Sequence, residues 1–375
     1  MRRAVLLASF ALVCACKDEA EPAAVDAGTN PRSIGAPRLG VHVMLPTGWV
    51  EEPIESSTSR VARGPSVSSG EVETVAQARR VSARLDIPFY VIDAKDVFRE
   101  TVVQYFLDGY ARGETPNPCL ICNRQIRWTF LLDHALALGA EYMATGHYVR
   151  IRRDEKGKSQ LLRAVDRSKD QSYVLHVLTQ EKLKHALFPV GDYPKTEIRA
   201  IAEEHGLPTA SRKDSQDLCF LAGEDYRNFL QRNAAEMLQP GGIVRRDGRS
   251  LGEHTGLANY TIGQRKGLGI ASPVPLYVLG KDAVTNNLIV GTQEELGSDE
   301  LTARDVSWVS GEQPREPFRA EVKIRYTARE AEALVMPLDG DRVQVRFDAP
   351  QRDITAGQAA VFYQGDLMIG GGIIV

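Results

Sequence analysis

Tyr142-Met-Ala-Thr-Gly-His147 reads as a short strand, Tyr142-Met-Ala-Thr145, that stops at a glycine followed by a histidine. Upstream, Asn123 is placed to cap a helix carrying Ile126, Phe130 and Leu138. Before that helix comes the turn-rich Thr115-Pro-Asn-Pro118, and before the turn a helical stretch over 96–110 that buries Phe98, Val102 and Phe106. The apolar run Pro88-Phe-Tyr-Val-Ile92 predicts a second buried strand, and Val72, Val75, Ala78, Val81 and Leu85 recur at helical spacing. Strands alternating with helices predict a parallel, doubly wound α/β sheet. Ligands of such sheets sit beyond the carboxyl ends of the strands, which is where Gly146 and His147 fall.

Working downstream, Thr196 is an N-cap candidate for a helix over 197–205, with Gly206 as its C′ residue and Pro208 as its stop. After about residue 241 the pattern becomes strand-like, punctuated by Asp247-Gly248, Asp339-Gly340 and Gly365-Asp366. The stretches 318–326, 342–347, 359–363 and 367–375 predict a small closed sheet.

Composition bounds the answer. A chain of 375 residues, 43% hydrophobic and 25% charged, is long enough for several cores and ordinary for a globular protein. A net charge of −3 offers no global basic field for nucleic acid, so any such contact must be a local patch. After residue 20 no apolar run approaches the length of a membrane span. The five cysteines (Cys14, Cys16, Cys119, Cys122 and Cys219) are too sparse for a disulfide framework. The last three read better as thiols of a reducing compartment. The N-terminus points elsewhere. Arg2 and Arg3 precede an apolar stretch over 4–15, and Cys16 follows Ala15, as in a signal with a lipid-attached cysteine. Residues 17–38 resemble a tether, and the bland alternative is an apolar helix or a different start codon.

Cys119-Leu-Ile-Cys122 follows a proline loop and opens a helix, where the unpaired amides and the helix dipole favour a thiolate. A redox dithiol, half of a zinc site and two incidental cysteines all fit that spacing, although no second pair completes four zinc ligands. Cys219, within Asp214-Ser-Gln-Asp-Leu-Cys-Phe220, is by itself more often packing than chemistry.

Six blocks taken together narrow this. Thr115-Pro-Asn-Pro-Cys-Leu-Ile-Cys-Asn123, Ala144-Thr-Gly-His-Tyr148, Lys169-Asp-Gln-Ser-Tyr173, Lys213-Asp-Ser-Gln-Asp-Leu-Cys-Phe220, Tyr260-Thr-Ile-Gly-Gln-Arg-Lys-Gly-Leu-Gly269 and Gly357-Gln-Ala-Ala-Val-Phe-Tyr363 resemble, in order, the bacterial tRNA-specific 2-thiouridylases. The resemblance implies an adenine-nucleotide hydrolase-like α/β domain over 67–222, N-terminally incomplete. A small mixed α+β tRNA-binding domain over 223–285 and a C-terminal β-barrel over 286–375 would follow. Residues 1–16 and 17–66 stand outside it as a signal-like segment and a linker foreign to the family.

It also implies a reaction. ATP, with Mg²⁺, adenylates the C2 oxygen of the wobble uridine. A donor protein delivers a persulfide to Cys219, and Cys122 resolves it, leaving a Cys122–Cys219 disulfide. Gly146 matches the nucleotide-contacting glycine, and Asn117, Pro118 and Cys119 match the loop facing the target base. His147, Lys169, Asp170, Gln171, Arg325, Tyr326 and Gln358 match tRNA-contacting positions. No stably bound metal and no stable protein partner are implied. A disulfide requires α-carbons within about 7 Å, so a mobile loop carrying Cys219 is expected.

One departure cuts against this. The family's first strand leads into a Ser-Gly-Gly-x-Asp-Ser loop whose amides hold phosphates, and no such run occurs in this chain. Ser66-Val-Ser-Ser-Gly70 lacks the glycine pair and the aspartate, and Gly40-Val-His-Val-Met-Leu45 is the sole candidate for a replacement first strand. Two readings follow: a cytoplasmic, ATP-dependent tRNA 2-thiouridylase, or a catalytically defective tRNA-binding homologue, tethered to a membrane if the N-terminal segment is a signal.

Overall fold

The computed structural model describes residues 32–36, 41–45, 69–211, 218–221 and 223–375, the segments before residue 75 as backbone alone. The signal-like residues 1–16, most of the linker and residues 212–217 lie outside the described set. No described helix is long and apolar enough to cross a membrane.

The helical spacing from Val72 to Leu85 gives the helix Ser69–Leu85. A second helical run covers 95–111 and buries Phe98, Val102 and Phe106, as their spacing requires. The next helix starts earlier than expected. Its cap is Asn117, whose side chain accepts from the Cys119 amide at 3.2 Å, with Pro118 in the first turn, where a missing N–H costs nothing. Asn123 lies inside the helix instead, donating from Nδ2 to the Cys119 carbonyl at 3.0 Å. The helix continues to Ala137, but from Cys122 to Leu131 its bonding widens to the i→i+5 pattern.

The strand expected at 88–92 takes no regular structure, and no described strand runs beside it to take up its amides and carbonyls. Parallel pairing joins Met143–Ala144 to Ala186–Leu187. Val41–Leu45 is a strand, but it pairs antiparallel with Arg32–Ala36 in a hairpin of its own, not as a first strand of the parallel sheet. The helix Lys195–Glu204 begins one residue before Thr196, and its Lys195 amide is capped from afar by Asp166 Oδ2 at 3.0 Å. It ends as expected: Gly206 takes φ +64°, and the Gly206 and Leu207 amides bond back to the Glu203 and Ala202 carbonyls in a Schellman turn.

Beyond residue 240 the chain is β. Ser250–His254, Gly241–Arg245, Asn287–Gly291 and Tyr277–Asp282 form a four-stranded sheet in that order. Ser298–Trp308, Val343–Gln351, Ala331–Pro337, Phe318–Lys323, Ala359–Gln364 and Leu367–Ile374 form an antiparallel sheet that closes on itself when Leu367–Ile374 returns to pair with Ser298–Trp308. The hairpin Val149–Arg153/Ser159–Arg163 extends the same sheet, so the α/β part and the barrel share a core containing Leu120, Trp128, Tyr173 and Tyr363.

A clasp joins these parts beside the helix that starts at Pro118. The Thr115 amide donates to the Ala356 carbonyl at 2.8 Å, and Gln358 Nε2 donates to the Thr115 carbonyl at 2.7 Å. Gly357, between them, has φ +88°, and a Cβ there would stand 3.0 Å from the Thr115 carbonyl. Gly340 shares the positive φ (+74°) but has open space around it. Gly357→Ala is therefore expected to destabilise by about 1–3 kcal/mol more than Gly340→Ala, read from denaturant midpoints at constant slope. Equal losses in both variants would mean that only the backbone conformation matters and that the clasp is loose.

Candidate active site

Cys119 and Cys122, three residues apart on one helix, share a face. Cys219 reaches them through its neighbour. Phe220 packs edge-on against Phe98, Phe106 and Phe229, at centroid distances of 6.1, 5.2 and 5.3 Å. It also joins the apolar cluster of Phe98, Val102 and Ile126, against which Cys122 packs. Two thiols far apart in sequence thus meet because one aromatic ring is seated in the wall behind both. Cys219–Leu221 itself forms a single 3₁₀ turn, while residues 212–217 of the loop expected to be mobile lie outside the described set.

All three thiols are free. The helix start was expected to favour the ionised forms of Cys119 and Cys122, and burial overrides it. Cys119 keeps solvent contact, yet protein crowds its sulfur closely enough that burial, with repulsion from Cys122 and Cys219, pushes its pKa up to about 12. Burial likewise raises Cys122 and Cys219, the latter further through Cys122. The opposing influence is the positive charge of Arg127, which lowers all three thiols. Sequence reading missed Arg127 and Phe220. The Cys-Phe pair was visible in the quoted block, whereas nothing marked Arg127.

His147 is buried beside this recess, its ring 6.3 Å from Phe188 and its Nδ1 2.8 Å from Thr145 Oγ1. Burial, then the charge of Arg127, lowers its pKa to about 3, so it is neutral at physiological pH. Gly146 is exposed, its φ outside the left-handed region, and a Cβ there would meet nothing within 4 Å. Neither backbone strain nor internal packing asks for glycine at that position.

The other expected contact residues divide. Asn117 and Pro118 form the helix start itself. Asp170 is buried and turned inward: it accepts from the Ala164 amide at 2.8 Å and from Ser172 Oγ at 2.7 Å. Gln171 Oε1 accepts from the Tyr148 amide at 3.0 Å, tying the Lys169–Gln171 turn to the residue after His147. Arg325 Nη2 reaches the Ile262 carbonyl at 3.2 Å and also Thr355 Oγ1, bridging barrel and middle sheet, while its Nε is buried without a partner. Tyr326 is 42% exposed, with its ring 6.1 Å from Tyr173. Gln358 is committed to the clasp on Thr115.

Comparison with known proteins agrees along the chain. Families described as tRNA methyl transferase HUP domain, tRNA methyl transferase PRC-barrel domain and aminomethyltransferase beta-barrel domain match residues 54–223, 227–292 and 298–374. The tRNA-specific 2-thiouridylase MnmA of Acetivibrio thermocellus is 46% identical over 304 residues, covering 81% of this chain and 85% of that protein. That of Moorella thermoacetica is 50% identical over 305 residues, with the same two coverages. A Caldanaerobacter subterraneus relative of the same name is 48% identical over 314 residues, covering 84% and 86%. The chain belongs to the tRNA-specific 2-thiouridylase family. The methyl-transfer wording of the domain descriptions differs from the relatives' name, and the thiol recess agrees with the thiouridylases.

For the nucleotide that 2-thiouridylases imply, this chain offers one end of a site and not the other. Gly146 leaves room for close approach. The triphosphate end does not fit, because no Ser-Gly-Gly-x-Asp-Ser run exists and Ser66-Val-Ser-Ser-Gly70 runs into the helix Ser69–Leu85. The thiols carry a simpler expectation. Because the thiolate is the nucleophile and burial holds it protonated, alkylation of the reduced protein should be slow at neutral pH and rise about tenfold per pH unit. Cys119 should be the slowest of the three. Peptide-resolved iodoacetamide labelling checks this, and a Cys119 that outpaces the other two at neutral pH would contradict the crowding described around it.

Proposed function

We propose that the chain is a tRNA sulfurtransferase that replaces the C2 oxygen of the wobble uridine with sulfur. The observation that carries the reading is the seating of Phe220, which brings Cys219 to the recess of Cys122. In this reading Cys219 accepts the terminal sulfur of a donor protein's persulfide and becomes Cys219–S–SH. The Cys122 thiolate attacks the inner sulfur. The inner–outer S–S bond breaks, and its electron pair leaves with the outer sulfur as hydrosulfide. Hydrosulfide adds to C2, the activated oxygen departs, and 2-thiouridine and a Cys122–Cys219 disulfide remain. An external thiol reduces that disulfide before the next turnover. Cys119 takes no part in the electron balance.

A wobble base is reached only when it is drawn from the anticodon stack, at a cost of a few kcal/mol. Asn117, Pro118 and the neutral His147 line the place where it would enter. Lys169, Gln171, Arg325, Tyr326 and Gln358 supply the surface for the surrounding RNA, with Asp170 shaping the turn from inside. This work belongs in the cytoplasm, where thiols stay reduced. In cells lacking their own thiouridylase, the chain supplied with activation competence should restore wobble 2-thiouridine, measured by mass spectrometry of digested tRNA. Cys122→Ser and Cys219→Ser should each abolish it, whereas Cys119→Ser should retain most of it. Full activity in Cys122→Ser would remove the resolving step.

The second reading, a tRNA-binding homologue without catalysis, is favoured by the missing phosphate run. A triphosphate brings several charges that must be desolvated together, and relatives of this sort meet that cost with loop amides at a helix N-terminus. Gly146 cannot replace such a fan. Calorimetric titration of the 375-residue chain with ATP and Mg²⁺ should therefore show little or no binding. Micromolar affinity would mean that residues before Glu71 rebuild a cradle, and the catalytic reading would then stand unqualified.

A further inference from the structure

We propose that the turn 166–169 and the barrel turn Gly365-Asp366 together form a phosphate-binding patch for the tRNA, with Arg167 as its contacting cation and Asp366 as its positioning residue. The proposal rests on the tRNA-substrate reading above. The chain carries a net charge of −3, so RNA needs a place where positive charge is concentrated locally. Asp366 gathers two arginines. Arg150 Nη2 donates to its Oδ2 at 2.5 Å, and Arg167 Nη2 donates to its Oδ1. One carboxylate between two guanidinium groups leaves the trio positive. Lys169 stands in the same turn as Arg167, and Lys195 Nζ lies 5.1 Å from the centre of the Tyr148 ring.

The two arginines have different tasks. Arg150 is 24% exposed, and its Nε is spent on the Arg163 carbonyl at 2.7 Å. Arg167 is 52% exposed and, among the described residues, spends only Nη2. Its remaining N–H groups suit the paired oxygens of a phosphate, which a planar guanidinium matches better than an ammonium does. An exposed ion pair adds little to stability in water, so the Arg167–Asp366 contact serves to hold the side chain rather than the fold. Backbone bonds fix both sides of it. Asp166 Oδ1 accepts from the Ser168 amide at 3.1 Å and from Ser168 Oγ at 2.7 Å, and Asp166 Oδ2 accepts from the Lys195 amide at 3.0 Å. Opposite, the Asp366 carbonyl accepts from the Arg163 amide at 2.9 Å, and Leu367 pairs with Leu162. Gln171, just beyond the turn, bonds the Tyr148 amide next to His147. A phosphate on Arg167 therefore belongs to RNA flanking the base that enters beside His147.

The test titrates the full chain with an unmodified tRNA transcript carrying a wobble uridine, at several salt concentrations, with circular dichroism as the check of folding. Arg167→Gln is expected to weaken binding about fivefold near physiological salt and to lower the salt slope by about 0.7–0.9, the loss of one phosphate contact. Arg346→Gln, which removes an exposed arginine paired with Glu300 at 3.1 Å, is expected to change neither. Asp366→Asn separates positioning from charge. Removing a negative charge beside RNA would by itself tighten binding, whereas losing the holder of Arg167 weakens it, and weaker binding is expected. Tighter binding in Asp366→Asn overturns the positioning role. Should Asp366→Asn fail to fold, Arg167→Gln decides alone: the parent's affinity and slope overturn the patch, and so do equal losses in Arg167→Gln and Arg346→Gln. Unchanged binding in chains that still make 2-thiouridine removes the patch alone. Weakened binding in Arg167→Gln, with a parent that binds tRNA and makes no 2-thiouridine, removes the sulfur-transfer reading and leaves the patch in place.

Discussion

Phe220 sits edge-on against Phe98, Phe106 and Phe229, and Cys219 is the residue immediately before it. Aromatic pairs of this kind contribute about 0.5–1.5 kcal/mol each beyond the area they bury. Three of them fix a single turn firmly, yet fall short of the free energy that holds a domain core. The arrangement therefore anchors one sulfur beside another without a covalent bond between them. Phe229 in that nest comes from the helix Tyr226–Asn233, so the chain beyond Cys219 is locked as well.

Around this anchor, burial and charge compete, and magnitudes decide between them. A helix terminus is worth about 0.3–1 kcal/mol to a charged group, less than one pH unit of titration. The rise of Cys119 to about 12 is larger, so the resting recess holds protonated thiols despite lying at a helix start. A protonated thiol is slow to oxidise, which suits three cysteines gathered in one place. The same burial keeps His147 neutral, leaving Arg127 to supply the opposing charge.

What the sequence disclosed and what it hid follow from range. Local signals held where the chain satisfies itself locally: Gly206 ends its helix because only a left-handed residue closes that turn, and Phe98, Val102 and Phe106 face inward because their spacing leaves no other face. Signals failed where a distant group took over. Asp166 caps the helix assigned to Thr196, and Asn117 outcompetes Asn123 because the proline after it starts the helix sooner. The strand at 88–92 has the right residues and no described neighbour, and a ladder cannot be read from one strand. Motif blocks located the thiols, Gly146 and His147. They did not reveal the charge of Arg127 that acts on the thiols, nor that Asp170 spends its carboxylate inside.

The parts that assemble the recess explain why it persists in a chain without a phosphate loop. Its walls come from the helical runs 95–111 and 118–137, from the strand end at His147, and from the turn at Phe220. Its floor is the core shared with the barrel, and the clasp of Ala356, Gly357 and Gln358 on Thr115 fixes where the cysteine helix begins. Among the described residues, none of these contacts draws on the segment before residue 75. The barrel instead contacts the start of the thiol helix through this clasp. A displacement of Gly357 shifts Thr115, Thr115 leads into Pro118, and Pro118 sets the helix that carries Cys119, Cys122 and Arg127.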